Sequence, residues 1–290
     1  MKPPLEKNPV EKTPAELAAE QAAYWNGPGG KGWLASIERI EQGIGDFGKA
    51  ALTAASPRPG EKAIDVGCGL GGTTRALAEA VGATGHVLGV DISEELVASA
   101  RSHRVPNTTF VVGNAATHPF EPASYDLVFS RFGVMFFGDP VAAFKNFQQA
   151  LKPDGRLVFV CWRKPDENPW GLTPVRAAAP FLPPLPRPGP EDPGQFAFGD
   201  RTRVERILKE AGFTALSFEP LDQMVFMGKT VADILASAGR FGPLARAFAE
   251  ATPEQIEKAK AAIAEALKPH ERPDGVRLPG ACWLVRARAT

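Results

Sequence analysis

Apolar and polar positions change rhythm several times along the chain, and each change marks an element. Thr13-Pro14-Ala15-Glu16 reads as a helix start, with a capping threonine, proline at the first helical position and a carboxylate in the first turn. That helix is expected to run to about Trp25 and to break at Asn26-Gly27-Pro28-Gly29-Gly30. Trp33, Ile37 and Ile40 then recur at helical spacing up to Glu41, and Asp46 to Ala55 reads as another helix. After the turn Pro57 to Gly60, short β-prone runs alternate with helical ones. Strands are expected at Lys62 to Val66, His86 to Val90, Thr108 to Val112, Tyr125 to Ser130 and Arg156 to Trp162. Helices are expected at Thr73 to Val81, from the Ser93 cap to about His103, and at Asp139 to Leu151. Repeating strand and helix predicts a parallel sheet with right-handed crossovers.

The second half is less regular. Prolines crowd from Arg163 to Gly199, which predicts an irregular cover. A helix Arg201 to Ala211 closed by Gly212 follows, then strand-like Ala215 to Met227 with an interruption at Pro220. Thr230 to Leu267 reads as helices broken near Gly242-Pro243 and restarted at Thr252-Pro253-Glu254-Gln255. A loop Lys268 to Pro279 leads to a last strand, Ala281 to Arg288. The expected organisation is a helical lid segment over 1–56, a ligand-binding core over 57–162, and the rest of the same domain over 163–290. That last part holds the proline-rich cover, strand six, a helical insertion over 228–280 and strand seven.

Composition narrows the partners. Lys plus Arg number 33 and Asp plus Glu number 33, so no net field draws the chain to nucleic acid, and a small-molecule substrate is expected instead. No segment has the length and apolarity of a membrane span or the pattern of a secretory signal. Three widely spaced cysteines, Cys68, Cys161 and Cys282, suit reduced thiols and a cytoplasmic location, and with four scattered histidines they offer no metal site. A homodimer is left open.

The chemistry concentrates between Ala63 and Gly72, where an apolar strand runs into glycines at 67, 69, 71 and 72 and then into a helix. A loop that carries a ligand over a helix N-terminus needs positive φ and close backbone approach, which glycine supplies. Two readings compete. Gly67-x-Gly69-x-x-Gly72, with Asp91 lying 20 residues after Gly71, matches a dinucleotide fingerprint. Asp65-x-Gly67-x-Gly69-x-Gly71, with its acid inside the strand end, instead resembles the first motif of the class I S-adenosylmethionine (SAM) methyltransferases. A glycine-rich turn with no ligand is the bland alternative.

Three later motifs fall in the order this family has. Gly89-Val90-Asp91-Ile92 ends strand two, where the family's acid accepts both ribose hydroxyls; two carboxylate oxygens match two adjacent donors. Val112-Gly113-Asn114-Ala115-Ala116-Thr117-His118 resembles the Gly-Asp-Ala stretch of the ubiquinone/menaquinone C-methyltransferase group. Asn114 stands where the adenine-binding Asp is usual, so charge assistance is lost. His118 stacks on adenine, sits at a solvent edge or acts as a base, in that order of preference. Ser130-Arg131-Phe132-Gly133-Val134-Met135-Phe136-Phe137 resembles a group of bacterial class I methyltransferases at the carboxyl end of strand four, where open α/β sheets bind ligands. Arg131 either pairs with a fold carboxylate such as Asp139 or orients a ligand. Tyr24 and Trp25 either plug a core or wall a pocket, and the same choice applies to Trp162 and Trp170.

The resemblance implies an α/β fold, a doubly wound, seven-stranded, mostly parallel Rossmann-like sheet with an antiparallel last strand and helical decorations. It implies a SAM site of Asp65, Gly67, Cys68, Gly69, Gly71, Thr73, Asp91, Ile92, Asn114, Ala115, Ala116, His118, Ser130 and Trp25, and an acceptor pocket of Tyr24, Arg131, Phe132, Trp162 and Trp170. Phe181, Leu182, Leu185, Phe196 and Phe198 are expected to wall the cover and to suit a small, largely apolar acceptor. Methyl transfer needs alignment more than acid-base machinery, and neither His118 nor His270 is singled out as a base. The rival readings are an NAD(P)-dependent oxidoreductase and a SAM-binding regulatory protein without catalysis. The first lacks a Tyr-x-x-x-Lys, since tyrosine occurs only at 24 and 125.

Overall fold

A computed structural model describes residues 12–184, 189, 191–239 and 242–290. Its centre is one sheet in the order β3-β2-β1-β4-β5-β8-β6, with a two-residue β7 on β8. The strands are β1 Lys62–Val66, β2 His86–Asp91, β3 Thr108–Val112, β4 Tyr125–Arg131, β5 Leu151–Trp162, β6 Thr214–Gly228, β7 Glu271–Arg272 and β8 Gly275–Arg288. The pairs from β3 to β5 are parallel, and β8 runs antiparallel to both β5 and β6. From Ala63 to Val66, β1 is buried at every position, as a parallel strand covered on both faces must be.

Helices follow the alternation: α4 Gly72–Val81, α5 Glu94–Ser102, α6 Pro140–Ala150 and α8 Arg201–Glu210, after the N-terminal α1 Pro14–Trp25, α2 Pro28–Leu34 and α3 Ile37–Ala55. Helix α3 packs on β4, β5 and β6 and touches α4. A second apolar cluster joins α7 Pro169–Ala178, α9 Val231–Ser237, α10 Pro243–Glu250 and α11 Pro253–Leu267 to the start of β8 through Ala178, Ile234, Ile263 and Leu278. Trp170 and Met227 pack against both clusters.

Several expectations are corrected. The glycine-rich break after Trp25 is itself helical, because close contact replaces propensity there. A Cβ on Gly29 would lie 2.3 Å from the Tyr24 ring, and one on Gly30 would lie 2.1 Å from the Trp25 carbonyl oxygen. The two helices expected between Trp33 and Ala55 are divided differently, with one continuous α3 from Ile37. Its Gly43 lets the helix axis approach β6, since a Cβ there would meet the Phe226 carbonyl at 2.9 Å. The proline-rich stretch is not irregular throughout. Pro169 occupies the first turn of α7, where a missing N–H costs nothing, and only Pro174 sits further inside. Pro220 does not interrupt β6 but pairs opposite Trp283, tolerated because β6 is the sheet edge. Strand β8 begins at Gly275, ahead of the expected Ala281, so the loop expected over Lys268 to Pro279 holds β7 and the first residues of β8. Leu185 lies outside the described residues.

The end of α3 is tied to the sheet by Arg156 on β5. Its Nε donates to the Ala55 carbonyl at 2.7 Å and one terminal nitrogen to the Ser56 carbonyl at 3.1 Å, satisfying helix carbonyls that have no intrahelical partner. The same guanidinium grips Glu61 through both oxygens, at 2.9 and 2.7 Å, with side-chain exposures of 14% and 12%. Replacing Arg156 with Met strands Glu61 and both carbonyls. We expect a loss of about 2–4 kcal/mol in urea unfolding, with an unchanged m-value.

Candidate cofactor and acceptor site

The loop after β1 takes three residues into positive φ: Gly67 at 68°, Gly69 at 53° and Gly71 at 75°. Two of them are also hemmed in. A Cβ on Gly67 would lie 2.8 Å from Gly133 Cα, and one on Gly71 would lie 2.8 Å from the Phe110 ring. Gly69 and Gly72 differ, with nothing within 4 Å of where a Cβ would stand. The loop therefore presses its outer glycines into the fold and presents backbone to open space, at the start of a helix whose Gly71 cap supplies no side chain.

Beneath it, Asp65 is fully buried. One carboxylate oxygen accepts from the hydroxyls of Thr73 at 2.7 Å and Thr74 at 2.6 Å, while Oδ1 has no partner among the described residues. Burial pushes this carboxyl up to about 6, against the two threonine hydroxyls and the nearby Arg131 charge, which favour ionisation. A buried acceptor without a donor is rare in a finished core and fits a cationic ligand group. Cys68 does not face that ligand space. Its thiol packs with Val97, Ala100 and Phe110, and burial raises its pKa, so only its backbone remains for a ligand.

Asp91 closes β2. Its Oδ2 accepts from Gly69 N–H at 2.8 Å and its Oδ1 from Ser93 N–H at 2.9 Å, which fixes the carboxylate beside the loop and leaves each oxygen a second lone pair. Burial raises this carboxyl as well. Ser93 caps α5, as expected. Across the neighbouring β3 end, Asn114 Oδ1 accepts from Ala116 N–H at 3.0 Å. Asn146 on α6 pins this loop by donating to the carbonyls of Ala115 and His118. His118 sits edge-on to Phe120 at 4.7 Å, and partial burial lowers its pKa.

On β4, Ser130 is fully committed to the fold, donating to the Val66 carbonyl at 2.8 Å and accepting from Gly133 N–H at 3.1 Å. Arg131 forks onto Glu41 of α3 at 2.7 and 2.5 Å, so its fold partner is Glu41, whereas Asp139 caps α6. Phe132 is a non-glycine residue at φ 62°, a conformation of the kind that clusters at functional sites. Its ring stacks on Trp162 at 4.5 Å, and Trp162 in turn meets Trp170 at 4.6 Å. Asn168 fixes that last ring by accepting from its Nε1 at 3.1 Å. Of the expected cover, Phe198 is instead part of the core, against Phe144 and Phe159, while Phe181 is exposed.

The junction of α1 and α2 lies across this crevice. Asn26 donates to the Ile92 carbonyl and accepts from Glu94 N–H, at the end of β2, while Trp25 packs edge-on to Phe136, just past β4. Strand β1 lies between those two, so the junction crosses above the glycine loop. The Tyr24 hydroxyl accepts from Gly242 N–H at 3.1 Å, linking this segment to the helical insertion. Glu41, Asn26 and Asn146 carry no local signature in the sequence, because the partners they hold here, Arg131, Ile92 and Glu94, and Ala115 and His118, lie far along the chain.

Residues 64–159 match the family described as methyltransferase domain. The chain is 42% identical over 112 residues to the demethylmenaquinone methyltransferase of Staphylococcus aureus strain MRSA252, an alignment covering 38% of this chain and 46% of that protein. The chain thus spans about half the length of the curated relatives it matches. Among solved structures, the YcgJ protein of Bacillus subtilis superposes with a TM-score of 0.56 at 16% identity, over 84% of this chain and 98% of that one. Phosphoethanolamine N-methyltransferase 2 of Haemonchus contortus, solved with phosphomonomethylethanolamine and S-adenosylhomocysteine, superposes with a TM-score of 0.51 at 20% identity, over 84% of this chain and 52% of that one. At these identities the likeness to the two structures is one of fold.

Asp65 makes the free protein sensitive to pH in a definite direction. Its folded pKa of about 6 lies above its ordinary value, so the stability it lends is complete at low pH and is lost as pH rises through that range. Asp65→Asn escapes this. The melting temperature of the variant relative to wild type should climb from pH 4 to pH 7.5, by an amount worth up to about 2–3 kcal/mol, less whatever the new buried amide donor costs. Calorimetric melts across that range check it.

Proposed function

We propose that this chain is a class I SAM-dependent methyltransferase and transfers a methyl group to a small, largely apolar metabolite. The observation that carries this reading is the buried Asp65 carboxylate with a free oxygen, set beneath glycines that face open space and beside Asp91. That donor set fits SAM. Asp65 would hold the cationic amino-acid end, the backbone at Gly67 to Gly71 would lie along it, Asp91 would accept from the ribose hydroxyls, and Asn114 and His118 would flank the adenine. When bound, SAM supplies an electrophilic methyl group on a sulfonium.

What remains for the chain is alignment and exclusion of water. Phe132, Trp162 and Trp170 form a contiguous aromatic series from the end of β4 towards the helical insertion, held rigid by stacking and by Asn168. Phe132 and Trp162 are buried in the main core and Trp170 is half-buried, so the part of this series left for an acceptor is the Trp170 face, which suits a ring or alkyl chain. The name of the staphylococcal relative, a demethylmenaquinone methyltransferase, is compatible with a ring-bearing acceptor. The α1–α2 junction would act as the lid, since Trp25 and Asn26 bridge the two sides of the crevice. A balanced charge of 33 cationic and 33 acidic residues gives no steering to a nucleic-acid acceptor.

Two experiments test this. Incubation with SAM labelled in its methyl group and a metabolite extract should place the label on a small molecule; label only on protein or RNA contradicts the acceptor class, and no transfer at all favours a non-catalytic binder. Asp91→Ala should weaken S-adenosylhomocysteine binding in calorimetry by about 1.5–3 kcal/mol for each hydrogen bond lost, and unchanged affinity rules out the ribose assignment.

A further inference from the structure

Methyl transfer as proposed does not by itself require Arg131. The residue stands on β4 two positions past Phe129, the register partner of Asp65, so its side chain shares the Asp65 face of the sheet one strand away. Its guanidinium does not touch Asp65. One Asp65 oxygen is filled by Thr73 and Thr74, the other has no partner among the described residues, and both ends of the arginine fork are committed to Glu41. Helix α3 is shaped for that pairing. A Cβ on Gly48 would lie 2.7 Å from Arg131 Cδ, and Gly45 leaves the space beside the Glu41 carboxylate open apart from Glu41 itself at 3.8 Å. The fork is 14% exposed and Glu41 41%, so the glutamate reaches it from the solvent side.

Hydroxyls of Thr73 and Thr74 face Asp65 from α4, Asp91 acts on it from β2, Cys68 lies in the adjoining loop, and the Arg131 charge favours its ionised form from β4. Glu41 holds both terminal nitrogens of the Arg131 fork, so the arginine acts on the carboxylate through its charge and not through a hydrogen bond.

Resting on the methyltransferase reading, we infer that Arg131 is a positioning residue for cofactor binding: anchored by Glu41, its charge keeps the Asp65 carboxylate ionised without occupying it, so that the free oxygen stays available to the cationic end of the ligand. Burial of Asp65 opposes ionisation; the Thr74 and Thr73 hydroxyls work against it first, and the Arg131 charge adds to them.

The test is the affinity for S-adenosylhomocysteine, measured by calorimetry from pH 5 to pH 8.5 in wild type, Arg131→Met and Arg131→Lys. Wild-type affinity should hold at the alkaline end and fall below about pH 6 as Asp65 takes up a proton. In Arg131→Met the fall should begin about one pH unit higher, giving roughly 3-fold weaker binding at pH 6.5, approaching 10-fold at pH 5, and near-wild-type binding at pH 8.5. Arg131→Lys, which keeps the charge, should restore the wild-type profile. If Arg131→Met fails to fold, the Glu41→Met/Arg131→Met double variant strands no charge and should show the same shift. A profile superimposable on wild type, or binding weakened by one factor at every pH, overturns the inference and leaves the cofactor reading standing. Failure of the wild-type protein to bind S-adenosylhomocysteine overturns both.

Discussion

A carboxylate without access to water governs this site. Asp65 ends the most central parallel strand and is held there by two hydroxyls, with one oxygen unsatisfied. Leaving a buried acceptor unpaired opposes folding, so the surrounding structure has to be stable enough to impose it. The long β6–β8 pairing and the Arg156 clamp on α3 and Glu61 provide that stability away from the crevice. The strain of Phe132 at positive φ falls beside the same opening.

Around that carboxylate the fold arranges three strand ends and one helical junction. The ends of β1, β2 and β4 meet the glycine loop, Asp91 and Arg131, and the α1–α2 junction spans from Ile92 to Phe136 above them. Such an arrangement follows from parallel topology, which brings every strand's carboxyl end to one edge. The helical insertion and the proline-rich segment then pack on each other through α7 and α11, and Trp170 joins that subsidiary core to the main one.

Local signals make the core legible in the sequence. The glycine loop, the acid closing β2, the capped starts of α1, α5 and α11 and the first four strands rest on short-range chemistry, and the structure places them within a few residues of expectation. What was not legible depends on distant partners. Glu41 lies 90 residues from Arg131, and nothing near either marks the pair. Helix α2 is written in glycines that ordinarily end helices, and only the contacts of Tyr24, Trp25 and Ser93 explain why Cβ atoms are excluded there. Proline density concealed α7 because composition averages over positions, whereas a proline in the first turn of a helix is harmless. Phe198 showed the opposite error: an aromatic in an apparently loose cover proved to be core.

What the free oxygen of Asp65 accepts is the direct measure of this site. A crystal structure of the protein grown with S-adenosylhomocysteine shows it. The ligand's amino group is expected within hydrogen-bond distance of Asp65 Oδ1 or bridged to it by one water, its chain along Gly67 to Gly71 and its ribose hydroxyls on Asp91. Density for the ligand elsewhere, or an Asp65 oxygen satisfied by a protein group while the ligand is bound, would contradict this assignment.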